Sequence, residues 1–164
     1  MASMPDATPL IDLGTPDGIA DAFVNHGVTL ASIKGLGDDD LEVLYAVAYD
    51  HLAEGRARDA VEDLLLLVTH DPWEPRFQFA YGLALQQMGQ YEAAAHHYAQ
   101  ALLMDATDAG CILRIGECLE AQGLAQEAEE AFRACIQLSY LRPEHHLVRA
   151  HAQARLASLG GGVA

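Results

Sequence analysis

The chain repeats itself every 34 residues. Gly55, Gly89 and Gly123 stand at that interval, as do Ala60, Ala94 and Ala128; the same offset links Leu64, Tyr98 and Phe132, and the small residues Ala48, Gly82 and Gly116. Four columns in register over three copies predict units of residues 41–74, 75–108 and 109–142. Each is too short to bury its own apolar face and becomes stable by stacking on its neighbours. Every unit reads as two helices. In the first, Leu44, Val47 and Ala48, then Val61, Leu64, Leu65 and Val68, recur at helical spacing on either side of Gly55, where the chain must reverse. Glycine accepts the left-handed backbone that ends a helix. The small residue of the first helix and the alanine of the second mark one close helix crossing, which a larger side chain at Ala94 would overpack.

Around the units lie two further helical segments. Residues 15–38 carry Ile19, Ala20, Phe23, Val24, Leu30 and Ile33 in an amphipathic stretch broken near Gly27. Asp38, Asp39 and Asp40 follow, placing negative charge at the amino end of the first repeat helix, where the helix dipole favours it. Residues 143–159, opening at Pro143 and carrying Leu147, Val148, Ala150, Ala154 and Leu156, suit a capping helix. Residues 1–14 and 160–164 are expected to be disordered tails. The opening MASMPDATPL has neither a basic n-region nor an apolar run, and the longest aliphatic stretch, Leu64 to Val68, is five residues, so no signal peptide and no membrane span are expected.

The pattern of small, alanine and aromatic positions resembles the tetratricopeptide repeat, most closely in GLALQQMGQYEAAAHHYAQAL. The implied fold is all-α, three tandem repeats forming a concave superhelix. In that register unit positions 5, 9 and 12 of each first helix share one face by their i, i+4, i+7 spacing and line the groove. They are Tyr45, Tyr49 and Leu52, then Phe79, Leu83 and Gln86 with Arg76 at position 2, then Leu113, Glu117 and Glu120. Such a surface offers apolar pockets and tyrosine hydroxyls to an extended peptide. Tyr81, Tyr91 and Tyr98 read as core, and Trp73, beside Pro72 and Pro75, as packing between units. A clamp for a terminal carboxylate is a poor match, because Tyr45 and Tyr49 stand where it needs Lys and Asn and Arg114 is left as an isolated cation.

Charge and spacing narrow the chemistry. Nine Lys and Arg against 24 Asp and Glu give a net charge of −15, so nucleic acid and anionic membrane are not expected partners: no basic surface exists to release counterions from phosphate. Cys111, Cys118 and Cys135 form no CxxC pair and read as reduced, buried small side chains. Adjacent histidines, His96–His97 and His145–His146, point about 100° apart on a helix and cannot chelate one metal well. No glycine-rich phosphate loop follows a strand. No enzyme, metal or cofactor is therefore expected.

A closer resemblance rests on HGVTLASIKGL, LEVLYAVAYDHLAEG, the MGQY core and GECLEAQGLAQEAEEAF, in that order. Together these resemble the class II chaperones of type III secretion systems, over roughly residues 18–158. The resemblance implies a bacterial cytoplasmic protein that holds hydrophobic translocator proteins in its groove through a Pro-x-Leu-x-x-Pro type segment. The family's groove aromatics fall on Tyr45 and Tyr49, with Leu52 where an aromatic is common. It also implies a weak homodimer through the N-terminal helix, with Ile19, Phe23 and Val24 as contacts. A scaffold subunit of another secretion or assembly complex is the alternative, since fold does not fix function.

Overall fold

The computed structural model describes residues 15–26, 35 and 37–160, without the side chains of Phe23, His26 and Asp38. The expected tail 1–14, residues 161–164 of the expected tail 160–164, the stretch 27–34 and the Phe23 contact lie outside the described residues, while Gly160 belongs to the last helix. Those described are all-helical, as the period predicts: α1 (Pro16–His26), α2 (Asp38–Ala53), α3 (Ala57–His70), α4 (Pro75–Gln87), α5 (Tyr91–Met104), α6 (Ala109–Ala121), α7 (Ala125–Leu138) and α8 (His146–Gly160). Helices α2 to α8 pack each against the next.

Local chemistry sets the boundaries. Gly55, Gly89 and Gly123 have φ of 74°, 77° and 81°, the left-handed backbone that turns α2 into α3, α4 into α5 and α6 into α7. An acidic residue recurs at the same interval before or within the first turn of α2, α4 and α6. Asp40 accepts from the Gly37 N–H at 3.1 Å, Glu74 from the Arg76 N–H at 3.1 Å, and Asp108 from the Gly110 N–H at 2.8 Å. Each carboxylate satisfies an orphan donor and complements the helix dipole.

The periodic columns are explained by close approach. A Cβ on Gly82 would lie 3.0 Å from the Tyr98 ring and 3.2 Å from the Ala94 carbonyl, and one on Gly116 would lie 2.6 Å from the Phe132 ring. The small residue thus makes room for the aromatic one turn beyond the alanine. Tyr98, Phe132 and Leu64 are fully buried by it. Cys111, Cys118 and Cys135 are free and buried; burial pushes the thiols of Cys118 and Cys135 up to about 11 and that of Cys111 further, leaving negligible thiolate near neutrality.

The C-terminal segment departs from expectation at Pro143. Arg142 is extended, with φ −130° and ψ 119°, as a residue before proline favours. Two 3-10 turns, Ser139–Leu141 and Pro143–His145, therefore precede α8, which starts only at His146. Helix α8 stands one period beyond α6. The stripe Ile112, Gly116 and Leu119 of α6, which meets α7, becomes His146, Ala150 and Gln153 on α8, all exposed. On the other side of α8, Ala152 is fully buried against Phe132 and Cys135, with Val148 and Leu156 beside it. Helix α8 thus repeats the first helix of a unit, with exposed residues at the positions where α6 meets its second helix. Trp73, expected between units, is 48% exposed in the α3–α4 turn; the core there is already filled by Leu67, Val68 and Phe77.

Candidate functional site

The site is the groove lined by α2, α4 and α6. Tyr45 and Tyr49 sit one turn apart on α2 with ring centroids 5.9 Å apart, and Tyr45 also lies 5.5 Å from Phe77. Phe79 meets the buried Tyr98 edge-on at 5.1 Å. Burial raises the pKa of the half-buried Tyr45 hydroxyl, keeping it a neutral donor.

Two chambers open between these residues. The one at the amino ends of the helices, about 280 Å³, is lined by Tyr45, Pro75, Arg76 and Phe79, with Ala101, Asp105, Asp108 and Gly110 opposite. The row Glu42, Arg76 and Gly110 follows the 34-residue interval, and glycine in its third place leaves the gap: a Cβ there would lie 2.9 Å from Asp108 Oδ1 and 4.0 Å from Phe79. The chamber at the carboxy ends is larger, about 540 Å³. Tyr49, Leu52, Ala53 and Leu83 form its apolar wall, and Gln86, Gln87, Tyr91 and Arg114 its polar one.

The two chambers differ in charge. In the first, the Arg76 guanidinium bridges Glu42 and Glu74, at 3.3 Å and 3.1 Å respectively, and lies 5.5 Å from the centroid of the Tyr45 ring. Hydrogen bonding from Arg76 holds the Glu42 carboxyl below its usual range, while those carboxylates raise the pKa of Arg76. Asp105 takes both its carboxylate oxygens to Arg142 at 2.9 Å and accepts from the Thr107 hydroxyl at 2.7 Å; the Thr107 bonds, then Arg142, lower its pKa. Acidic groups therefore outnumber Arg76 around this chamber.

At the second chamber a polar chain runs out from the core. The Tyr98 hydroxyl donates to Gln86 Oε1 at 2.7 Å, Gln86 Nε2 donates to Glu117 at 3.1 Å, and Arg114 Nη1 donates to the same Glu117 oxygen at 2.9 Å. His151 of α8 reaches the other Glu117 oxygen at 3.1 Å. Arg155 pairs similarly with Glu120 at 3.0 Å. Arg114 is thus not the isolated cation expected, and α8 engages Glu117 through His151 and Glu120 through Arg155.

Of the groove residues named from sequence, Tyr45, Tyr49, Arg76, Phe79, Leu83 and Gln86 line the two chambers. Leu52 does so with an edge, being only 5% exposed. Leu113 does not: it is 7% exposed and packed with Phe132 and Ala152, because α8 and α7 close over the third unit. Tyr91, read as core, lines the second chamber, whereas Tyr81 packs edge-on against His97 at 4.6 Å. Asp105, Asp108 and Gly110 went unread, although each falls in a 34-residue row: Asp105 repeats Asp71, which accepts from the backbone N–H two residues on in the same turn one unit earlier. Ile19 and Val24 of α1 are 42% and 71% exposed and Ala22 is buried. Among the described residues no His, Cys, Asp and Glu group is placed to hold a metal ion, and no helix is long and apolar enough to cross a membrane.

Comparison with known proteins follows this geometry. The family model described as bacterial transcriptional activator domain matches residues 18–110, and the tetratricopeptide repeat model matches residues 109–140. Low calcium response locus protein H of Yersinia pseudotuberculosis is 31% identical over 124 residues, 76% of this chain and 74% of that protein. A type III secretion complex from Aeromonas hydrophila is similar with a TM-score of 0.81 at 27% identity, over 87% of this chain and 95% of that one. The Yersinia enterocolitica chaperone SycD, solved with a peptide of the translocator YopD, is similar with a TM-score of 0.71 at 28% identity, over 76% and 95% of the two chains.

Proposed function

We propose that this chain, which belongs to the tetratricopeptide-repeat translocator chaperones of type III secretion represented by low calcium response locus protein H and over residues 18–110 to the bacterial transcriptional activator domain family, holds an extended apolar segment of a translocator in its groove. Both memberships describe stacked helix pairs, and the function follows from the site rather than the fold. The observation that carries the reading is the pair of chambers on one face of α2 and α4, with the aromatic rings of Tyr45, Tyr49 and Phe79 in them. An extended peptide alternates its side chains, so one segment can fill both chambers while the tyrosine hydroxyls meet its carbonyls.

The client is a secreted hydrophobic translocator, as the likeness to SycD with its YopD peptide supports, and it is recognised through the proline-bracketed segment of Pro-x-Leu-x-x-Pro type that the sequence resemblance implies. Burial removes from water a surface that would otherwise aggregate, and the net charge of −15 keeps the complex soluble. The work is binding rather than catalysis, carried out in the bacterial cytoplasm before export. Ile19 and Val24, exposed on α1, are the contacts of a weak homodimer.

Titration of the purified chain by calorimetry with a Pro-x-Leu-x-x-Pro peptide, a scrambled peptide, and the Tyr49→Ala protein tests this. Ordering the peptide offsets much of the apolar gain, so a dissociation constant on the order of a micromolar is expected, with Tyr49→Ala weakening it about tenfold without unfolding. Equal affinity for the scrambled peptide would refute the groove.

A further inference from the structure

We propose that the carboxy-end chamber is a carboxylate subsite: Arg114 selects an Asp or Glu side chain two residues from the apolar anchor of the bound segment. This rests on the groove reading above and names the client chemistry more narrowly.

Three observations carry it. In a chain of net charge −15, the larger chamber of the groove has one charged residue in its lining, the cation Arg114, and no carboxylate. The partner of Arg114, Glu117, is 13% exposed and lies outside that lining, held by Gln86 at 3.1 Å and by His151 at 3.1 Å. Both of its oxygens are engaged, one by Gln86 and Arg114 and the other by His151. Lastly, the guanidinium is oriented from the core. Fully buried Tyr98 fixes Gln86 at 2.7 Å, Gln86 fixes Glu117, and Glu117 takes one N–H of Arg114 at 2.9 Å. Guanidinium has five N–H donors, so four remain for a ligand, in the planar fork that matches a carboxylate.

The amino-end chamber supplies the contrast. Arg76 there already bridges Glu42 and Glu74, and Asp105 and Asp108 stand in the wall. A client carboxylate would be repelled from that end and attracted to the other. The groove thus carries a charge gradient along its helices, which sets the direction in which a segment lies as well as its composition. Tyr45 and Tyr49, at i and i+4, are separated by about 6 Å along α2, which an extended peptide spans in two residues.

The test uses Pro-x-Leu-x-x-Pro peptides with Glu, Gln or Lys placed two residues after the leucine in one series and, in another, two residues before it in place of the first proline. They are titrated into wild-type protein and into Arg114→Gln. In one series the Glu peptide should bind about tenfold more tightly than the Gln peptide and the Lys peptide least tightly, a charge-assisted preference that shrinks as salt rises. Arg114→Gln should abolish the difference between the Glu and Gln peptides. If that variant loses its helical signal, Arg114→Lys, which keeps charge but not the fork, should reduce the preference several-fold. Gln and Glu peptides binding equally in both series, or a preference that survives in Arg114→Gln, overturns the subsite while leaving the groove. Binding of none of the peptides overturns the groove and the subsite with it.

Discussion

The two ends of the helical array are finished differently. At the C-terminal end α8 turns His146, Ala150 and Gln153 outward and buries Ala152, so the last apolar core is closed by a polar surface. At the N-terminal end, residues that would meet a preceding unit are left apolar: Val43 and Val47 of α2 are 66% and 44% exposed and Leu66 of α3 is 46% exposed, around an open cavity of about 330 Å³ that also includes Leu41, Leu44 and His70. The same register position is core in one unit and surface in another. Phe77, 34 residues beyond Val43, is 2% exposed. The burial of a residue in a repeat array is therefore a property of its neighbour, and a terminal unit needs its own solution.

Register partners give the largest expected effect. Phe77→Ala removes a ring packed within the cluster of Leu52, Leu64, Leu67 and Ala80 and should cost about 3–5 kcal/mol. Val43→Ala, at the equivalent place on α2, should change stability by less than about 0.5 kcal/mol. Chemical denaturation of the two variants checks both, and comparable losses would mean that the N-terminal end is covered in solution.

That dependence on neighbours also divides what the sequence could yield. The 34-residue columns were legible because each records a contact inside one unit, such as Gly82 against Tyr98 or Gly116 against Phe132. The paired aromatics Tyr45, Tyr49 and Phe79 were legible because i, i+4 spacing on a helix fixes a common face. Leu113 was misplaced because α8 closes over it, and an expected capping helix does not by itself say which face of α6 it covers. The period could have: Glu117 and His151 stand 34 residues apart, and they pair at 3.1 Å. Arg114 looked isolated although its partner Glu117 stands three residues on in the same helix; only the residues that hold Glu117 from behind, Gln86 and Tyr98, belong to another unit.

The polar finish of α8 can be undone. Replacing His146 with Ile and Gln153 with Leu copies onto α8 two of the three residues with which α6 meets α7, giving the C-terminal end an apolar stripe. Both positions are exposed, so folding stability should shift by no more than about 1 kcal/mol. Solubility should change instead, because an unpartnered apolar helix face recruits another surface. Sedimentation velocity over a concentration series should show mass increasing with concentration beyond that of the parent chain. An unaltered profile would mean that the polar stripe is not what ends the array.

The smallest effect concerns how α8 is tethered: as Arg76 ties α4 to Glu42 of α2 at one end, Arg155 ties α8 to Glu120 of α6 at the other. Arg155 donates to Glu120 at 3.0 Å, and its side chain is 42% exposed. An ion pair so open to water is worth about 1 kcal/mol or less, since solvent screens the attraction and two side chains must be held still. Most of the docking of α8 falls instead to Ala152, Val148 and Leu156 in the core beneath it. Arg155→Gln should therefore leave the main unfolding transition within about 1 kcal/mol of wild type and raise amide hydrogen exchange in α8 alone, because terminal elements open locally before the array unfolds. Raising the salt concentration on the wild-type chain should move α8 in the same direction, as screening weakens exposed pairs more than buried contacts. Exchange that rises equally in α4 and α5 would place Arg155 in the global stability of the array.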